Sequence, residues 1–377
     1  MIMWLIILIV VMLLTILGIC YLISRIGKFE VIKRLGRNQK RYIRLVSTLV
    51  IFLTSLIIWL TLGYVNLCVV LISVTFIYLL TELVFLLLSK VKIFGLNEKM
   101  AGSNVNWSGI CAISLSAIYL LTGAYLAHHV FWTNYTVYTD KAVEPLKIIM
   151  LSDSHISTTL DGDDFAKEMA RISEAKPDIV IIAGDYVDGS SKYEDVEKAT
   201  QSLSTIDSKY GVFFSFGNHD KNYYGEDARR GFNTEKLVEL LEENNVTILE
   251  DQFANIEGGY TVLGRMDKSD SARAAIKSLR AEIPSENYVI DINHQPNDYV
   301  AEAEAGVDLV LSGHTHGGQL FPINEVGVLI GANDKTYGYE RRNNTDFIVS
   351  SGIGDWAIDF KTGCKAEIVE INVVPGK

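Results

Sequence analysis

The chain has 377 residues, a net charge of −11 and 49% hydrophobic residues, and its mean hydropathy of +0.21 is too high for an ordinary soluble protein. The charge is uneven, with a net of +8 over residues 1–132 and −19 over residues 133–377. This pattern indicates a basic membrane portion followed by an acidic soluble domain, and it argues against a nucleic acid as partner, because phosphate backbones are bound by Lys and Arg.

Four apolar stretches near the amino terminus are each long enough to cross a bilayer. They cover residues 2–23, 45–65, 67–88 and 107–130. The first has no basic residue before it and no small-residue cleavage site after it, so we interpret it as a retained span rather than a signal peptide. We therefore predict an all-α, four-span transmembrane region over residues 1–132, in a cell membrane.

The charges in the loops between these spans predict the orientation. Residues 25–44 contain eight Lys and Arg and a single Glu, the loop between the second and third spans is uncharged, and the next loop carries Lys90, Lys92 and Lys99. Because basic loops remain in the cytoplasm, we expect the amino terminus and the soluble domain to lie on the extracytoplasmic side.

Glu82 is the one charged residue within the third predicted span. An ionisable group at such a position suggests a function. The alternative, which we favour, is a glutamate near the inner end of the span that reaches Lys90 or the interface. We interpret His128 and His129, at the end of the fourth span, as interfacial residues rather than metal ligands, because no carboxylate accompanies them.

Residues 133–145 are predicted to be a polar linker, and residues 146–377 to form the soluble domain. Strands alternate there with helices, which is typical of an α/β domain. Buried strands are predicted at LKIIMLSD, PDIVIIAGD, GVFFSFGNHD, YVIDIN and DLVLSG. From residue 326 onward we expect only β structure.

Polar residues follow five of these strands. They are Asp153 and His155, then Asp185 and Asp188, then Asn218, His219 and Asp220, then His294, and finally His314 and His316. Each fragment alone is also a good turn or helix-cap sequence. Together they place five of the seven histidines at strand ends. Because ligands of open α/β sheets bind outside the carboxyl ends of the strands, we expect these side chains to converge on one crevice.

The donors in this set are imidazole nitrogens with carboxylate and amide oxygens, and no thiolate. Such donors suit Mn, Fe or Zn and disfavour a structural zinc site. The set is larger than one ion needs and fits two, which a carboxylate such as Asp185 could bridge. Two divalent ions would stabilise the attacking and leaving oxygens of a displacement at phosphorus and would activate a water molecule.

The order D-x-H, G-D-x-x-D, G-N-H-D, H and G-H-x-H resembles the calcineurin-like metallophosphoesterases. The flanking text, including LSDSH, LGRMD and SGHTHGGQLFP, looks most like a membrane-anchored branch with extracytoplasmic phosphodiesterases and a UDP-diacylglucosamine hydrolase. The resemblance covers about residues 145–373 and leaves out the four-span region. It implies a four-layer αββα sandwich with two metal ions at the sheet edge.

The resemblance also implies a role for each residue. The expected ligands are Asp153, His155 and His316 for one ion, Asn218, His294 and His314 for the other, and Asp185 between them. His219 is then the catalytic histidine, oriented by Asp220, which protonates the leaving-group oxygen or stabilises the transferring phosphoryl group. Asp188 is expected to support the ligands or the fold.

One stretch departs from the pattern of this branch. Where relatives often read G-x-G followed by P-I-R, this chain reads GIGDWAIDFKTG, with Ala357 and Asp359 in place of the Pro and the Arg. A missing cation would change phosphate recognition. Arg341, Arg342 or Lys361 could replace it, although we interpret all three as solvated surface residues.

We therefore expect a membrane-bound hydrolase whose two divalent ions activate hydroxide for attack on a phosphodiester or a lipid- or envelope-linked phosphoester. Its expected partners are that phosphoester and the lipid bilayer. One alternative is an inactive domain that binds a phosphoester as a sensor or scaffold, but it would have lost a ligand or His219. The other is a transporter or channel with an accessory domain, which would need several polar residues in its spans.

Overall fold

The computed structural model describes residues 2–90 and 105–376. Lys92 and Lys99, which contributed to the predicted orientation, lie outside the described residues. The chain divides into two compact units, Met1–Gly123 and Ala124–Lys377.

Within residues 2–90 and 105–130, the structure shows four helices before the first strand: α1 (Ile2–Ile26), α2 (Glu30–Leu35), α3 (Lys40–Lys90) and α4 (Trp107–His128). Three of them, α1, α3 and α4, are long and apolar enough to cross a membrane. The second and third predicted spans lie together in the 51 residues of α3. The number of helices therefore differs from the four that we predicted.

The long element α3 folds back on itself at Gly63, whose φ of 80° and ψ of 178° are not helical. Both halves approach the same end of α1, since a Cβ at Gly27 would lie 3.2 Å from the Ser47 hydroxyl and Lys28 pairs with Glu82 at 3.0 Å. In a straight helix Ser47 and Glu82 would be about 50 Å apart, at 1.5 Å per residue. The element therefore consists of two antiparallel helices that meet at Gly63.

The fold-back also explains the charge at Glu82. Its carboxylate pairs with Arg25 at 2.8 Å and with Lys28 at 3.0 Å, and the Tyr21 hydroxyl donates a hydrogen bond to it at 2.9 Å. Of the two alternatives that we favoured, a pairing with Lys90 is therefore wrong, because the partners come from the end of α1, and a position at the interface stays a prediction. These contacts account for Glu82 as a structural residue.

The second unit contains two six-stranded sheets. Sheet A consists, in spatial order, of β1 (Phe131–Thr139), β12 (Glu367–Pro375), β2 (Leu146–Leu151), β3 (Ile179–Ala183), β4 (Val212–Ser215) and β5 (Val246–Ile248). Sheet B consists of β10 (Gly338–Arg342), β11 (Thr345–Val349), β9 (Leu309–Ser312), β8 (Tyr288–Ile292), β7 (Tyr260–Gly264) and β6 (Gln252–Ile256). Strands β2 to β5 pair in parallel, as do β7, β8, β9 and β11.

Seven α-helices connect these strands: α5 (Gly162–Glu174), α6 (Tyr193–Leu203), α7 (Glu226–Arg230), α8 (Thr234–Glu243), α9 (Ile276–Ala281), α10 (Tyr299–Ala305) and α11 (Val326–Leu329). A 3₁₀ turn covers His316–Gly318. Helix α5 shows why these segments are helical. The side chain of Asp161 caps its first turn by accepting from the amide of Asp164, and its buried residues recur on one face.

Three apolar clusters define four layers. Helices α5, α6 and α8 cover the outer face of sheet A, where Phe165 packs in one cluster with Ile149. The inner faces of the two sheets pack together through residues such as Ile148 and Ile290. Helices α9 and α10 cover the outer face of sheet B, with Leu279 in that cluster. Since Ile148 and Ile149 point to opposite faces of the same strand, the predicted αββα sandwich is confirmed.

The predicted linker over residues 133–145 is largely a strand. β1 pairs in parallel with β12 from Phe131 and Glu367 to Thr139 and Pro375. Its sequence, FWTNYTVYT, is rich in aromatic and β-branched residues, which favour strands. The linker prediction is therefore wrong over residues 133–139, and two residues separate the end of α4 from the start of β1.

Residues 326–337 also differ from the prediction of β structure. They contain the short helix α11 and no strand. The β structure of this part of the chain begins only with β10, which pairs antiparallel with β11.

Candidate metal centre

The carboxyl ends of β2, β3 and β4 lie side by side because these strands run parallel, and those of β8 and β9 are neighbours in sheet B. Hydrogen bonds join the two edges. Nδ1 of His294, after β8, lies 2.7 Å from the carbonyl oxygen of Ala183, at the end of β3. The Asp153 carboxylate, after β2, accepts from the amide of His314, after β9, at 2.9 and 3.0 Å. The polar strand ends of both sheets therefore meet at one edge of the sandwich.

Two groups of three side chains at this edge could each hold a cation. They are Asp153, His155 and His316, and Asp185, His294 and His314. Within each group, one donor atom from every residue lies within 4.8 Å of the others. This spacing matches ligands bound at about 2.0–2.3 Å from a shared ion.

Asp185 contacts both groups. Its Oδ2 atom lies 3.1 Å from Nε2 of His294 and 3.8 Å from Nε2 of His155. Its Oδ1 atom accepts a hydrogen bond from the amide of His219 at 2.8 Å. Asp185 therefore lies between the two groups.

Several buried donor atoms of the centre have no hydrogen-bond partner among the described residues. They include Nε2 of His155 and Oδ1 of Asn218. An unpaired buried polar atom costs about 1–3 kcal/mol. Imidazole nitrogens and amide oxygens are donors to Mn, Fe and Zn. The residues present therefore fit the divalent ions that the sequence predicts.

The backbone is strained at most of the predicted ligands. The residues with positive φ are Asp153 (50°), His155 (39°), Asp185 (52°), His314 (70°) and His316 (47°). Such conformations cost about 1–3 kcal/mol each and cluster at functional sites. Neighbouring glycines make this packing possible, because a Cβ at Gly313 would overlap the Asp153 carboxylate and a Cβ at Gly217 would overlap that of Asp185.

The electrostatics of the centre favour added positive charge. Burial alone would lower the pKa of His294, but the charge of Asp185 raises it well above the usual value. Burial lowers the pKa of His314 to about 4 and that of His316 well below its usual value. The last two imidazoles are therefore neutral at pH 7, which is the form that binds metals.

Comparisons with known proteins agree with this geometry. Residues 146–318 match the family model described as calcineurin-like phosphoesterase. A protein of Aquifex aeolicus (strain VF5) described as an uncharacterized metallophosphoesterase is 32% identical over 216 residues, which cover 54% of this chain and 77% of that protein. The chain belongs to the calcineurin-like phosphoesterases. The predicted membership in this family is thereby confirmed.

Two further relatives are longer than the matched region. A Helicobacter pylori (strain ATCC 700392 / 26695) protein, also described as an uncharacterized metallophosphoesterase, is 32% identical over 246 residues, or 63% of this chain and 62% of that protein. A Danio rerio protein described as a transmembrane protein with metallophosphoesterase domain is 27% identical over 246 residues, or 61% of this chain and 54% of that protein. The match thus spans less than two thirds of either relative.

Asp188 of this phosphoesterase supports the ligand His155. Its Oδ2 atom lies 3.1 Å from Nδ1 of His155. Burial alone would raise the pKa of Asp188, but the hydrogen bond with His155 lowers it to about 2. An ionised Asp188 therefore holds the Nδ1–H of the imidazole and leaves Nε2 free toward Asp185, as carboxylates behind metal-binding histidines do.

Asp220 does not orient His219, contrary to our prediction. Its carboxylate is buried and accepts four backbone N–H bonds of 2.7–3.0 Å, from Asp185, Tyr186, Val187 and Gly217. These bonds join the loops that follow β3 and β4. Asp220 therefore fixes the backbone beneath the ligands.

Glu226, which the sequence analysis missed, faces His219 instead. Its Oε1 atom lies 3.5 Å from Nδ1 of His219, and the glutamate is fully buried while 16% of the histidine side chain is exposed. The amide of Tyr224 donates to the other oxygen of Glu226 at 2.8 Å. No motif predicts this pair, because the turn between β4 and α7 creates it.

Aromatic side chains surround His219 at the rim of the centre. The ring of Trp356 lies 5.2 Å from the imidazole, and that of Tyr224 lies 5.7 Å from it. Trp356 and Tyr224 are 43% and 58% exposed. Trp356 belongs to the GIGDWAIDF stretch, so the sequence that departs from the family borders the centre.

Lys361 is buried, so our interpretation of it as a surface residue is wrong. Its ammonium lies 3.3 Å from Asp355, and Asp355 lies 3.7 Å from Nδ1 of His316. Arg341 and Arg342 do lie at the surface, paired with Asp346 at 3.0 Å and with Glu340 at 2.6 Å. The three cations offered as substitutes for the missing arginine are thus engaged elsewhere.

Proposed function

We propose that this protein is a membrane-bound phosphodiesterase that uses two divalent ions and His219. The observation that carries the proposal is the meeting of two ligand groups at Asp185, with His219 beside them and in neither group. The proposed ligands are Asp153, His155 and His316 for one ion, Asn218, His294 and His314 for the other, and Asp185 for both. When bound, Mn, Fe or Zn ions polarise a phosphoryl oxygen and lower the pKa of a water molecule.

His219 acts on the ester in this proposal. With Nδ1 directed at Glu226, Nε2 is the nitrogen available to an oxygen of the substrate. From there it donates a proton to the leaving group or a hydrogen bond to the phosphoryl group. Trp356 and Tyr224 offer flat apolar surfaces to the organic part of the ester.

A diester is favoured over a monoester by the available positive charge. Arg341, Arg342 and Lys361 are each paired away from His219. In this proposal the positive charge offered to the phosphate would come from the ions, from His219 and from Arg229, whose exposed guanidinium lies 3.4 Å from Oε1 of Glu226. A diester carries one negative charge at pH 7, whereas a monoester carries close to two.

We also infer that both halves of α3 cross the membrane, so that the chain has four spans and an extracytoplasmic domain. The fold-back at Gly63 and the basic residues of the α1–α3 region support this topology. The connection between α4 and β1 is two residues long, which would keep the domain close to the membrane and favours a lipid- or envelope-linked ester as substrate.

Accessibility of a cysteine tests the orientation. In a chain without native cysteines, Lys198→Cys on α6 should react with an impermeant maleimide in intact spheroplasts. Reaction only after lysis would refute the orientation.

Hydrolysis of model esters tests the proposed activity. We expect the full-length protein in detergent to cleave bis-p-nitrophenyl phosphate faster than p-nitrophenyl phosphate, to lose this activity on chelation and to regain it with Mn²⁺. The full chain is required because a fragment that starts at residue 133 lacks the beginning of β1. A folded, metal-loaded protein that cleaves neither ester would support the alternative of a phosphoester-binding sensor.

A further inference from the structure

An exposed apolar segment follows the second histidine of the G-H-x-H motif. Among residues 131–376, ten large apolar side chains are exposed, and five of them lie within ten consecutive residues. These five, between 45% and 81% exposed, are Phe321, Ile323, Val326, Leu329 and Ile330. Residues 320–332, which we name the apolar loop, contain one charged residue. A cluster of this kind marks a binding surface, since soluble surfaces rarely concentrate apolar side chains.

The apolar loop is anchored at its base, while its apolar side chains face outward. The carbonyl of Gln319 accepts from the amide of Thr362 at 2.8 Å, and the hydroxyl of Thr336 donates to Glu325 at 2.9 Å. Helix α11, at the centre of the loop, has no buried residue. A cavity of about 270 Å³ lies between the loop and the domain. The loop is therefore held in place without contributing these side chains to the core.

The last turn of α4 lies at the metal edge of the sandwich. β1 runs parallel to β12, and β12 runs antiparallel to β2. The first residue of β1 therefore lies at the edge where β2 ends and Asp153 follows. The amide of Ala366 donates to the carbonyl of Leu126 in α4 at 2.8 Å, and the amide of Phe131 donates to the carbonyl of Ala366 at 2.9 Å.

One segment, residues 355–366, connects this edge with the apolar loop. The carboxamide of Gln319 donates to Asp355 at 3.2 Å and to the carbonyl of Ile358 at 2.9 Å. The thiol of Cys364 donates to the carbonyl of His316 at 3.0 Å. The same segment ends at Ala366 and the last turn of α4. The apolar loop and the end of α4 therefore flank the metal centre on one edge.

We propose that the apolar loop inserts into the surface of the bilayer in which α4 ends, so that the metal edge faces the lipid headgroups. The inference rests on the proposed membrane placement of α4. If α4 ends in the bilayer, the surface of that bilayer lies next to the edge that also carries the apolar loop. Lipid is therefore the partner that we assign to the loop. Because residues 133–377 carry a net charge of −19, this attachment is apolar and needs no anionic lipid. Interfacial elements of this kind bury apolar side chains about 5–10 Å into the headgroup–acyl boundary.

Lipid quenching of a fluorescent label tests this insertion without using activity. In the full-length protein with its four native cysteines replaced by Ala, Leu329→Cys is labelled with an environment-sensitive fluorophore and placed in phosphatidylcholine nanodiscs that contain a doxyl lipid. We expect about half of the fluorescence to be quenched, given the depth of interfacial side chains. Glu286→Cys, in the exposed turn before β8 at the opposite edge, should remain unquenched.

Leu121→Cys, at a position of α4 that is 72% exposed, reports the insertion of the helix itself. Quenching at residues 121 and 329 supports the proposal. Quenching at residue 121 alone overturns the docking and leaves the spans intact, whereas quenching at neither position overturns the membrane placement as well. A label at residue 329 that is shielded from aqueous iodide but not quenched by lipid indicates a protein partner, such as a second copy, and also overturns it.

A charge variant provides the functional arm of this test. Leu329→Glu with Ile330→Glu should raise KM about tenfold for hexadecyl p-nitrophenyl phosphate in phosphatidylcholine vesicles, because the lost apolar burial weakens binding to the vesicle. It should leave kcat/KM for bis-p-nitrophenyl phosphate unchanged. Equal KM values for the vesicle ester in variant and parent would overturn the docking. A parent protein inert on bis-p-nitrophenyl phosphate would instead refute the proposed hydrolase.

Discussion

Replacement of His219 by Ala should lower kcat for an alkyl phosphodiester by about 10²–10⁴-fold, the contribution typical of a positioned acid–base group. The metal content should not change, because His219 belongs to neither ligand group. Its side chain lies at the rim of the centre and is 16% exposed, and thermal unfolding of the variant checks that the fold is kept. Steady-state kinetics and metal analysis of the two proteins measure both effects.

The leaving group separates the two roles open to His219. An alkoxide needs a proton to leave, whereas p-nitrophenolate leaves without one at neutral pH. If His219 is the general acid, the loss should be much smaller on bis-p-nitrophenyl phosphate than on the alkyl ester. Equal losses on both esters would assign it to the phosphoryl group. Undiminished rates on both would remove it from the mechanism.

Glu226→Gln tests the partner that the structure gives to His219. Oε1 of Glu226 lies 3.5 Å from Nδ1 of His219, so the substitution removes a negative charge that favours the protonated imidazole, and we expect a loss of about tenfold in kcat, or about 1.4 kcal/mol. Glu239→Gln, at an exposed position of α8, is the matched control and should behave as the parent protein.

Replacement of Asp220 by Asn should lower thermal stability, because its carboxylate accepts hydrogen bonds from four backbone amides.

Asp185→Asn should abolish most of the activity and weaken both ion sites. Asp185 is the residue that contacts both ligand groups, and the substitution removes its charge while keeping an acceptor for the amide of His219. The loss should exceed the roughly 10–100-fold typical of a residue behind the ligands. Asp163→Asn, at an exposed site of α5, is the control. A variant of Asp185 with full activity would contradict the shared site.

The sequence predicts that these side chains meet at one edge because the information is local. Each predicted ligand directly follows an apolar strand, and parallel pairing of β2, β3 and β4 brings their ends together without further specification. The partner of His219 could not be predicted in this way. Asp220 is its neighbour in the chain, but the turn directs that carboxylate to four backbone amides and brings Glu226 to the imidazole.

Longer-range features escaped prediction for a related reason. β1 pairs with β12, which lies more than 230 residues later in the chain. Most of β1 falls in the stretch that we predicted to be a linker, because nothing in its own sequence indicates so distant a partner strand. Lys361 has a charged side chain in a polar segment, and only its pairing with Asp355 explains its burial. The turn within α3, by contrast, is predicted, because the sequence separates apolar stretches at residues 45–65 and 67–88, and the structure has a non-helical residue nearby at Gly63.

The most direct test of this account is the number of divalent ions bound per chain by the active protein. The metal content of the purified full-length phosphoesterase is measured by elemental mass spectrometry, and activity is measured as Mn²⁺ is added to the metal-free form. We predict about two ions per chain at full activity, as expected for a two-metal site, and a large loss of both ions in Asp185→Asn. Full activity with a single ion, or after complete removal of metal, would contradict the shared centre.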